Sequence, residues 1–317
     1  MHFLVAGGAG FLGSHIAEKL CDEGHQVTVV DNLSSGQEYN LRFLKGREGF
    51  RFFKCDIVNT LPVFEKLDGI FNLACPASPI FYQSIPIETT LSSVVGVYNL
   101  LRLADEHNCR ILQTSTSEVY GCPEITPQSE SYRGRVNCYG PRACYDEGKR
   151  AAEALFYDFN KQHGTDIRII RIFNTYGPNM HMDDGRVVSN FIVQALRGEP
   201  LTVYGDGQQR RSFCYVDDMV NAIFAIWNSD IQKPVNAGNP DEWSMLRLAH
   251  DIRDRIGSKS EILHLPMPQD DPLQRCPDIS LIKSLNWLPK VSLDKGLELT
   301  IPYFRGLISR HSRGVNI

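Results

Sequence analysis

The chain has 317 residues and 42% hydrophobic content, enough for two domains or for one large α/β domain carrying an added lobe. A formal charge of -4 and a pI near 6.1 argue against a nucleic-acid surface, although local arginines could still hold an anionic metabolite. Nine scattered cysteines without a Cys-x-x-Cys pair read as reduced thiols, and nine histidines show no metal-ligand spacing, so no metal site is assigned.

The chain opens Met-His-Phe-Leu-Val-Ala with neither a basic leader nor a long apolar segment, so a cytoplasmic protein without membrane attachment is expected. A short apolar strand over 3–6 enters Gly7-Gly-Ala-Gly-Phe-Leu-Gly13, and from Phe11 the pattern turns helical through Ile16, Ala17 and Leu20. Glycines spaced Gly-x-x-Gly-x-x-Gly between a strand and a helix let the turn close and the backbone approach a pyrophosphate at the helix N-terminus. A second strand over 26–30 ends in Asp31, 18 residues after Gly13. A carboxylate there accepts hydrogen bonds from an adenosine ribose and repels a 2'-phosphate, which favours NAD over NADP. Asn32 and Leu33, where an arginine would serve NADP, point the same way.

Residues 50–54 and 70–74 read as buried strands, followed by Asp56-Ile57 and by Cys75-Pro-Ala-Ser-Pro79, loops that fall at one sheet edge. A helical pattern covers 89–107, and a strand over 110–115 flows into Thr114-Ser-Thr-Ser-Glu-Val-Tyr-Gly121. The next helix carries a core stripe of Ala151, Ala152, Leu155, Phe156 and Phe159 and precedes a strand over 166–171. Strand and helix alternate throughout, which predicts a parallel doubly wound α/β sheet.

The start of that helix, Asn137-Cys-Tyr-Gly-Pro-Arg-Ala-Cys-Tyr-Asp-Glu-Gly-Lys-Arg150, places Tyr145 and Lys149 on one face, a turn apart. A phenol is a poor base unless a cation favours the phenolate, and Lys149 can supply that cation. Tyr157 and Lys161 repeat the spacing roughly 18 Å further along the helix. Only Tyr145 lies near the helix start, where the sheet's carboxyl edge and a bound cofactor meet, so it is the candidate base.

Beyond Asn174-Thr-Tyr-Gly-Pro178 the loops lengthen, with a helix over 188–197 and a hairpin turned by Gly205-Asp-Gly207. Ser244 caps a helix whose stripe of Met245, Leu248, Ala249, Ile252 and Ile256 ends at Gly257. The expected division is a dinucleotide-binding Rossmann domain over 1–178, with a returning segment near 213–240, and a smaller substrate-binding lobe over 179–317.

The glycine loop at Gly7, the Thr-Ser-Glu triplet at Thr116, the Tyr145 and Lys149 pair, Asn174 and the arginine of Gly205-Asp-Gly-Gln-Gln-Arg-Arg211 together resemble the extended short-chain dehydrogenase/reductase family. Within it, Pro76-Ala-Ser-Pro79, Gly140-Pro-Arg-Ala-Cys-Tyr-Asp-Glu-Gly-Lys-Arg150, Met180-His-Met-Asp-Asp-Gly-Arg-Val-Val-Ser-Asn-Phe-Ile192 and Gln269-Asp-Asp-Pro272 with Arg275 and Pro277-Asp-Ile279 resemble the UDP-glucuronate decarboxylases, which form UDP-xylose. One departure is Asn137-Cys-Tyr-Gly140, in a loop that the resemblance places near the sugar.

The resemblance implies that Gly7, Gly10, Phe11, Leu12 and Gly13 hold the pyrophosphate of NAD, that Asp31, Asn32, Ser35 and Gly36 hold the adenosine ribose, and that Asp56 with Ile57 holds the adenine. Leu73, Cys75, Tyr145, Lys149, Thr175, His181 and Arg186 complete that site. Asn174 and Arg211 are implied to bind the UDP diphosphate, and Tyr204 the uridine. The implied catalytic set is Thr116, Ser117, Glu118, Tyr145, Lys149 and Arg275, with Arg275 also binding the substrate carboxylate. A homodimer through the helices at 89–107 and 143–163 is implied as well. A nucleotide-sugar 4,6-dehydratase, a UDP-sugar 4-epimerase and a non-enzymatic NAD-sensing module are the alternatives.

Overall fold

The computed structural model describes residues 1–268 and 274–311, so the Gln269-Asp-Asp-Pro272 run singled out above lies outside the described residues. The first part of the chain runs β1 (His2–Ala6), α1 (Phe11–Asp22), β2 (Gln26–Asp31), β3 (Phe50–Lys54), β4 (Gly69–Asn72), α2 (Pro79–Ser84), α3 (Pro86–Leu91), α4 (Val97–His107), β5 (Arg110–Thr116), α5 (Ala143–His163) and β6 (Ile167–Ile172). The remainder runs β7 (Thr175–Tyr176), α6 (Val187–Arg197), β8 (Leu201–Tyr204), β9 (Arg210–Ser212), β10 (Cys214–Tyr215), α7 (Val216–Trp227), β11 (Pro234–Ala237), β12 (Glu242–Ser244), α8 (Met245–Ile256), β13 (Ile262–Leu265), β14 (Gln274–Arg275), α9 (Ser280–Lys283) and α10 (Leu293–His311).

Seven strands form a parallel sheet in the order β11-β6-β5-β4-β1-β2-β3, the doubly wound α/β architecture expected from the alternation. Because β1 sits between β2 and β4, the connections leave it in opposite directions, and a crevice opens at the carboxyl ends of the strands there. One face of the sheet is covered by Ile16, Ala17 and Leu20 of α1 and Met219, Ile223 and Ile226 of α7. The other face is covered by Leu100, Leu101 and Ala104 of α4 and Ala152, Phe156 and Phe159 of α5. A separate core joins α6, α8 and α10 through Phe191, Ile192, Leu248, Ile252, Leu297 and Phe304. Ser244 caps α8 by accepting the Arg247 backbone N–H, and Gly257 ends the helix in the left-handed conformation.

Three expectations change. Residues 50–54 form an edge strand rather than a buried one, and Phe53 is 41% exposed because β3 has a neighbour on only one side. The helical pattern over 89–107 is interrupted by a π-helical turn at Ser92–Gly96, where small residues admit close neighbours: an added Cβ at Gly96 would lie 2.5 Å from Ile57 Cδ1. The strands flanking the glycine turn at 205–207 do not pair as a hairpin. β8 pairs with β13, whereas β9 lies between β12 and β14, so the turn links two sheets.

Candidate active site

A cavity of about 710 Å³ opens over the carboxyl ends of β1, β2, β4, β5 and β6, and every residue that the sequence proposed for cofactor, substrate or chemistry borders it. At its dinucleotide end, Gly7 adopts a φ of +76°, and a Cβ there would meet the Leu73 carbonyl carbon at 2.6 Å. A Cβ on Gly13 would fall 2.2 Å from the Gly7 carbonyl oxygen. Only glycine lets this turn close beneath α1, whose first turn carries no acidic residue and therefore faces the cavity with bare N–H groups. Asp31, at the end of β2, accepts the N–H groups of Ala9 at 3.0 Å and Leu33 at 2.8 Å. Burial raises its pKa and those two donors pull it back. A Cβ on Gly36 would sit 2.8 Å from both Asp31 oxygens, so the chain closes directly over the carboxylate. Asn32 donates to Asp56 at 2.9 Å, joining the loops after β2 and β3. This bare glycine cradle, with a carboxylate at the end of the next strand, fits a dinucleotide.

Tyr145 lies in the first turn of α5 and Lys149 one turn on, with the Lys149 ammonium 5.7 Å from the phenol ring centre. Gly148 between them brings α5 against the π-helical turn, since a Cβ there would be 3.0 Å from Ser93 Cβ. The Tyr157 and Lys161 pair shows the same 5.7 Å separation. Burial distinguishes the two: Tyr145 is 6% exposed inside the cavity, Tyr157 59% exposed outside it. Thr116, at the end of β5, accepts the Glu118 backbone N–H at 3.2 Å, and its hydroxyl helps to pull the Tyr145 pKa back down. Lys149 donates to the Thr114 carbonyl at 2.9 Å. Burial raises the Tyr145 pKa and lowers that of Lys149, so desolvation, and not the lysine, sets the phenol here, against the lowering expected from the sequence.

Arg275 does not stand free to meet a ligand. Its Nη1 donates to Glu118, its Nη2 donates to the Gly121 carbonyl at 3.1 Å, and its buried Nε has no hydrogen-bond partner. Arg142 takes the other Glu118 oxygen at 2.6 Å. Burial alone would raise the Glu118 carboxyl, but Arg275 and Arg142 hold it down at about 2. Ser117 is buried beside it at the start of a 3-10 turn, Ser117–Tyr120.

On the remaining wall, Arg186 forms an ion pair with Asp184, 2.7 Å from Nη2, and places its guanidinium 5.8 Å from the Phe11 ring centre. His181 packs edge-on against Phe81, and Thr175 donates to the Phe173 carbonyl at 2.9 Å. Arg211 is buried, with Nη1 donating to the Arg210 carbonyl at 2.9 Å, while Tyr204 is half exposed at the rim and Asn174 borders the same wall. The Asn137-Cys-Tyr-Gly140 stretch does not border the cavity, and Tyr139 is 94% exposed.

Sequence reasoning assigned no role to Arg142, Asp146 or Tyr82. The first two lie either side of Tyr145 and stand i,i+4 to one another, a signal present in the sequence, but their meaning depends on Glu118 and Arg275 from distant segments. Tyr82 stacks parallel on Tyr145, with centroids 4.9 Å apart and planes at 3°. Among the described residues no group of three or more His, Cys, Asp or Glu side chains is placed to hold a metal ion, and no helix is long and apolar enough to cross a membrane.

Known proteins align with this arrangement along nearly the whole chain. The chain is 52% identical over 303 residues to UDP-glucuronic acid decarboxylase 1 of Xenopus tropicalis, spanning 95% of this chain and 72% of that one. It is 52% identical over 307 residues to UDP-glucuronic acid decarboxylase 6 of Arabidopsis thaliana, spanning 96% and 89%. Among solved structures it resembles UDP-glucuronic acid 4-epimerase from Bacillus cereus in complex with UDP-glucuronic acid and NAD, with 26% identity, a TM-score of 0.88 and coverage of 97% and 100%. A dTDP-glucose 4,6-dehydratase from Streptomyces venezuelae, with NAD bound, aligns at 26% identity with a TM-score of 0.89 over 98% of each chain. Residues 3–238 match the model of the NAD dependent epimerase/dehydratase family, and the chain belongs to that family, within the extended short-chain dehydrogenase/reductases.

Proposed function

We propose that this protein converts UDP-glucuronate into UDP-xylose and carbon dioxide, using NAD catalytically. One juxtaposition carries the reading: Glu118 is held between Arg142 and Arg275, in the same cavity as Tyr145 and the glycine cradle. Two arginines close on one carboxylate there, a setting suited to a sugar bearing a carboxylate, and relatives at about half identity are named for this decarboxylation.

NAD, when bound, supplies a hydride acceptor for the sugar C4 and returns the hydride at the end. Tyr145 takes the 4-hydroxyl proton, Thr116 shares the hydrogen bond to O4, and Lys149 holds the nicotinamide ribose and favours the phenolate. Once C4 is a ketone, the C5 carboxylate is a β-keto acid. Its C–C bond breaks to release carbon dioxide, and the electron pair becomes an enolate that Tyr145 and Thr116 stabilise at O4. Glu118 and Ser117 orient the carboxylate, and Arg275, giving up part of its contact with Glu118, binds it or manages the proton that water returns to C5. Asn174, Arg211 and Tyr204 hold the UDP portion. Residues 1–178 with 213–240 carry the dinucleotide, and 179–317 close over the sugar nucleotide. The working unit is a cytoplasmic homodimer pairing through residues 89–107 and 143–163, which expose Tyr98 and Tyr157.

An NMR time course with UDP-glucuronate and NAD tests the activity: UDP-xylose is expected, whereas UDP-galacturonate would identify an epimerase instead. Sedimentation tests the dimer, and fractionation of cells tests the compartment.

A further inference from the structure

The loop between the turn after β5 and α5 is closed at its base, where the Arg135 N–H donates to the Tyr120 carbonyl at 3.0 Å and the Cys122 N–H to the Arg135 carbonyl at 3.1 Å. Gln128 lies within this loop, fully buried and outside the cavity. Both ends of its amide are used. Its Oε1 accepts the Cys276 N–H at 2.9 Å, and its Nε2 donates to the Ile125 carbonyl at 2.6 Å and to Thr126 Oγ1 at 3.2 Å. The main chain adds two bonds to the same segment: the Gln128 N–H donates to the Cys276 carbonyl and the Asp278 N–H to the Gln128 carbonyl, each at 2.9 Å. Asn236 braces this contact from β11, donating to the Gln128 carbonyl at 2.9 Å while accepting the Tyr120 hydroxyl at 2.7 Å.

The Cys276 N–H belongs to the peptide plane that joins Arg275 to Cys276, so a side chain that holds it also fixes the backbone from which the Arg275 guanidinium extends. β14 is two residues long and ends at Arg275, so its ladder with β9 stops short of that peptide. The guanidinium itself is held through Nη1 on Glu118 and Nη2 on the Gly121 carbonyl, with no partner at Nε. Gly121 starts the loop that carries Gln128, so one loop grips Arg275 at both its side chain and its backbone. An apolar residue in place of Gln128 would leave the buried Cys276 N–H without its acceptor and loosen the peptide.

We propose that Gln128 is a positioning residue for decarboxylation: it sets where the Arg275 guanidinium stands against Glu118, and so where the sugar carboxylate is met, without touching substrate or cofactor. The inference rests on the reading above that Arg275 serves the carboxylate. A misplacement of about 1 Å can cost on the order of 10²-fold in rate. A loosened Arg275 therefore slows the loss of carbon dioxide, while the earlier hydride transfer from C4 to NAD, served by Tyr145, goes on.

The test sets Gln128→Leu, and Gln128→Asn with an amide shorter by a methylene, beside the wild type and Arg275→Ala. In both Gln128 variants turnover of UDP-glucuronate falls about 10- to 100-fold, NAD and UDP binding stay near those of the wild type, and bound NADH accumulates because oxidation outruns decarboxylation. In the Arg275→Ala background Gln128→Leu brings no further loss, because the residue it positions is gone. A purely structural role would slow oxidation and decarboxylation alike, and its loss would multiply with that of Arg275→Ala. Normal turnover in Gln128→Leu, losses that multiply, no accumulation of NADH, or loss of NAD binding in both variants overturns this inference while leaving the decarboxylase reading intact. Absence of any UDP-glucuronate turnover by the wild type overturns that reading, and the inference with it.

Discussion

Arg211 and Arg275 are register partners on the adjacent parallel strands β9 and β14, so two arginines from distant parts of the chain stand side by side at one cavity. Arg275 reaches Glu118 and the Gly121 carbonyl, whereas Arg211 bonds the Arg210 carbonyl. The two should therefore fail differently. Arg211→Ala is expected to weaken UDP-glucuronate and free UDP alike, by about 10- to 100-fold for a charge-assisted contact to phosphate. Arg275→Ala should leave UDP affinity nearly unchanged and depress turnover. Inhibition constants for UDP in both variants check this, and equal losses of UDP affinity would refute the division.

Tyr145→Phe should abolish turnover, a loss of at least about 10²- to 10⁴-fold if the phenol is the proton acceptor, while NAD binding persists. Tyr157→Phe should cost little. The pairs have the same internal geometry, so only burial and the neighbouring Thr116 distinguish them. Steady-state rates and NAD titrations on both variants decide the matter, and a dead Tyr157→Phe enzyme would reverse the assignment.

Asp31→Ala should weaken NAD and narrow the preference over NADP. The carboxylate is already oriented by the Ala9 and Leu33 N–H groups and covered by Gly36, so it has little freedom to turn away from a ribose. Direct titration with both dinucleotides measures the change. An unaltered preference would remove Asp31 from the ribose site.

Local signals explain what was legible beforehand. The glycine turn, Asp31 at a strand end, the Tyr145 helix and the Ser244 to Gly257 helix each follow from neighbours within a few residues, and each lies where the pattern places it. What escaped depends on distant partners. The exposure of Phe53 follows from β3 being an edge strand, and the unpaired strands around 205–207 from competition by β12, β13 and β14. Arg142 and Asp146 lay in plain view beside Tyr145, but their electrostatic meaning arises only when Glu118 and Arg275 come to meet them.

Asp146 also gives a prediction about stability. Its folded pKa of about 7 stands above the ordinary 3.8, so the folded chain keeps a proton that the unfolded chain releases, and stability falls as pH rises between those values. Glu118 acts in the opposite sense, but its pKa lies at about 2 and its contribution is lost only at acid pH, below its ordinary 4.5. Between pH 5 and pH 7.5, therefore, Asp146→Asn should remove part of the decline in unfolding free energy seen in the wild type. Urea unfolding at the two pH values measures it. Parallel declines in both proteins would show that Asp146 carries its charge at no cost in the fold.

The last prediction separates decarboxylation from dehydration, reactions that share the initial oxidation at C4. Dehydration must protonate a departing 6-hydroxyl, and a carboxylic acid is suited to that task. In this chain the residue between Thr116 and Glu118 is Ser117, whose hydroxyl is far too weak an acid, and about 10² to 10⁴ in rate typically depends on such a group. Glu118 cannot substitute, because Arg142 and Arg275 keep it ionised at neutral pH. Carbon dioxide leaves without protonation and requires instead a held carboxylate and a place for charge at O4. Wild-type protein should therefore convert UDP-glucuronate while leaving UDP-glucose and dTDP-glucose without 4-keto-6-deoxy product, and Arg275→Ala should lose decarboxylation far more than NAD binding. Product analysis by NMR on the three sugar nucleotides checks both statements. Appreciable 6-deoxy product from the wild type, or an Arg275→Ala enzyme of normal rate, would show that the triplet and its arginines serve a different reaction.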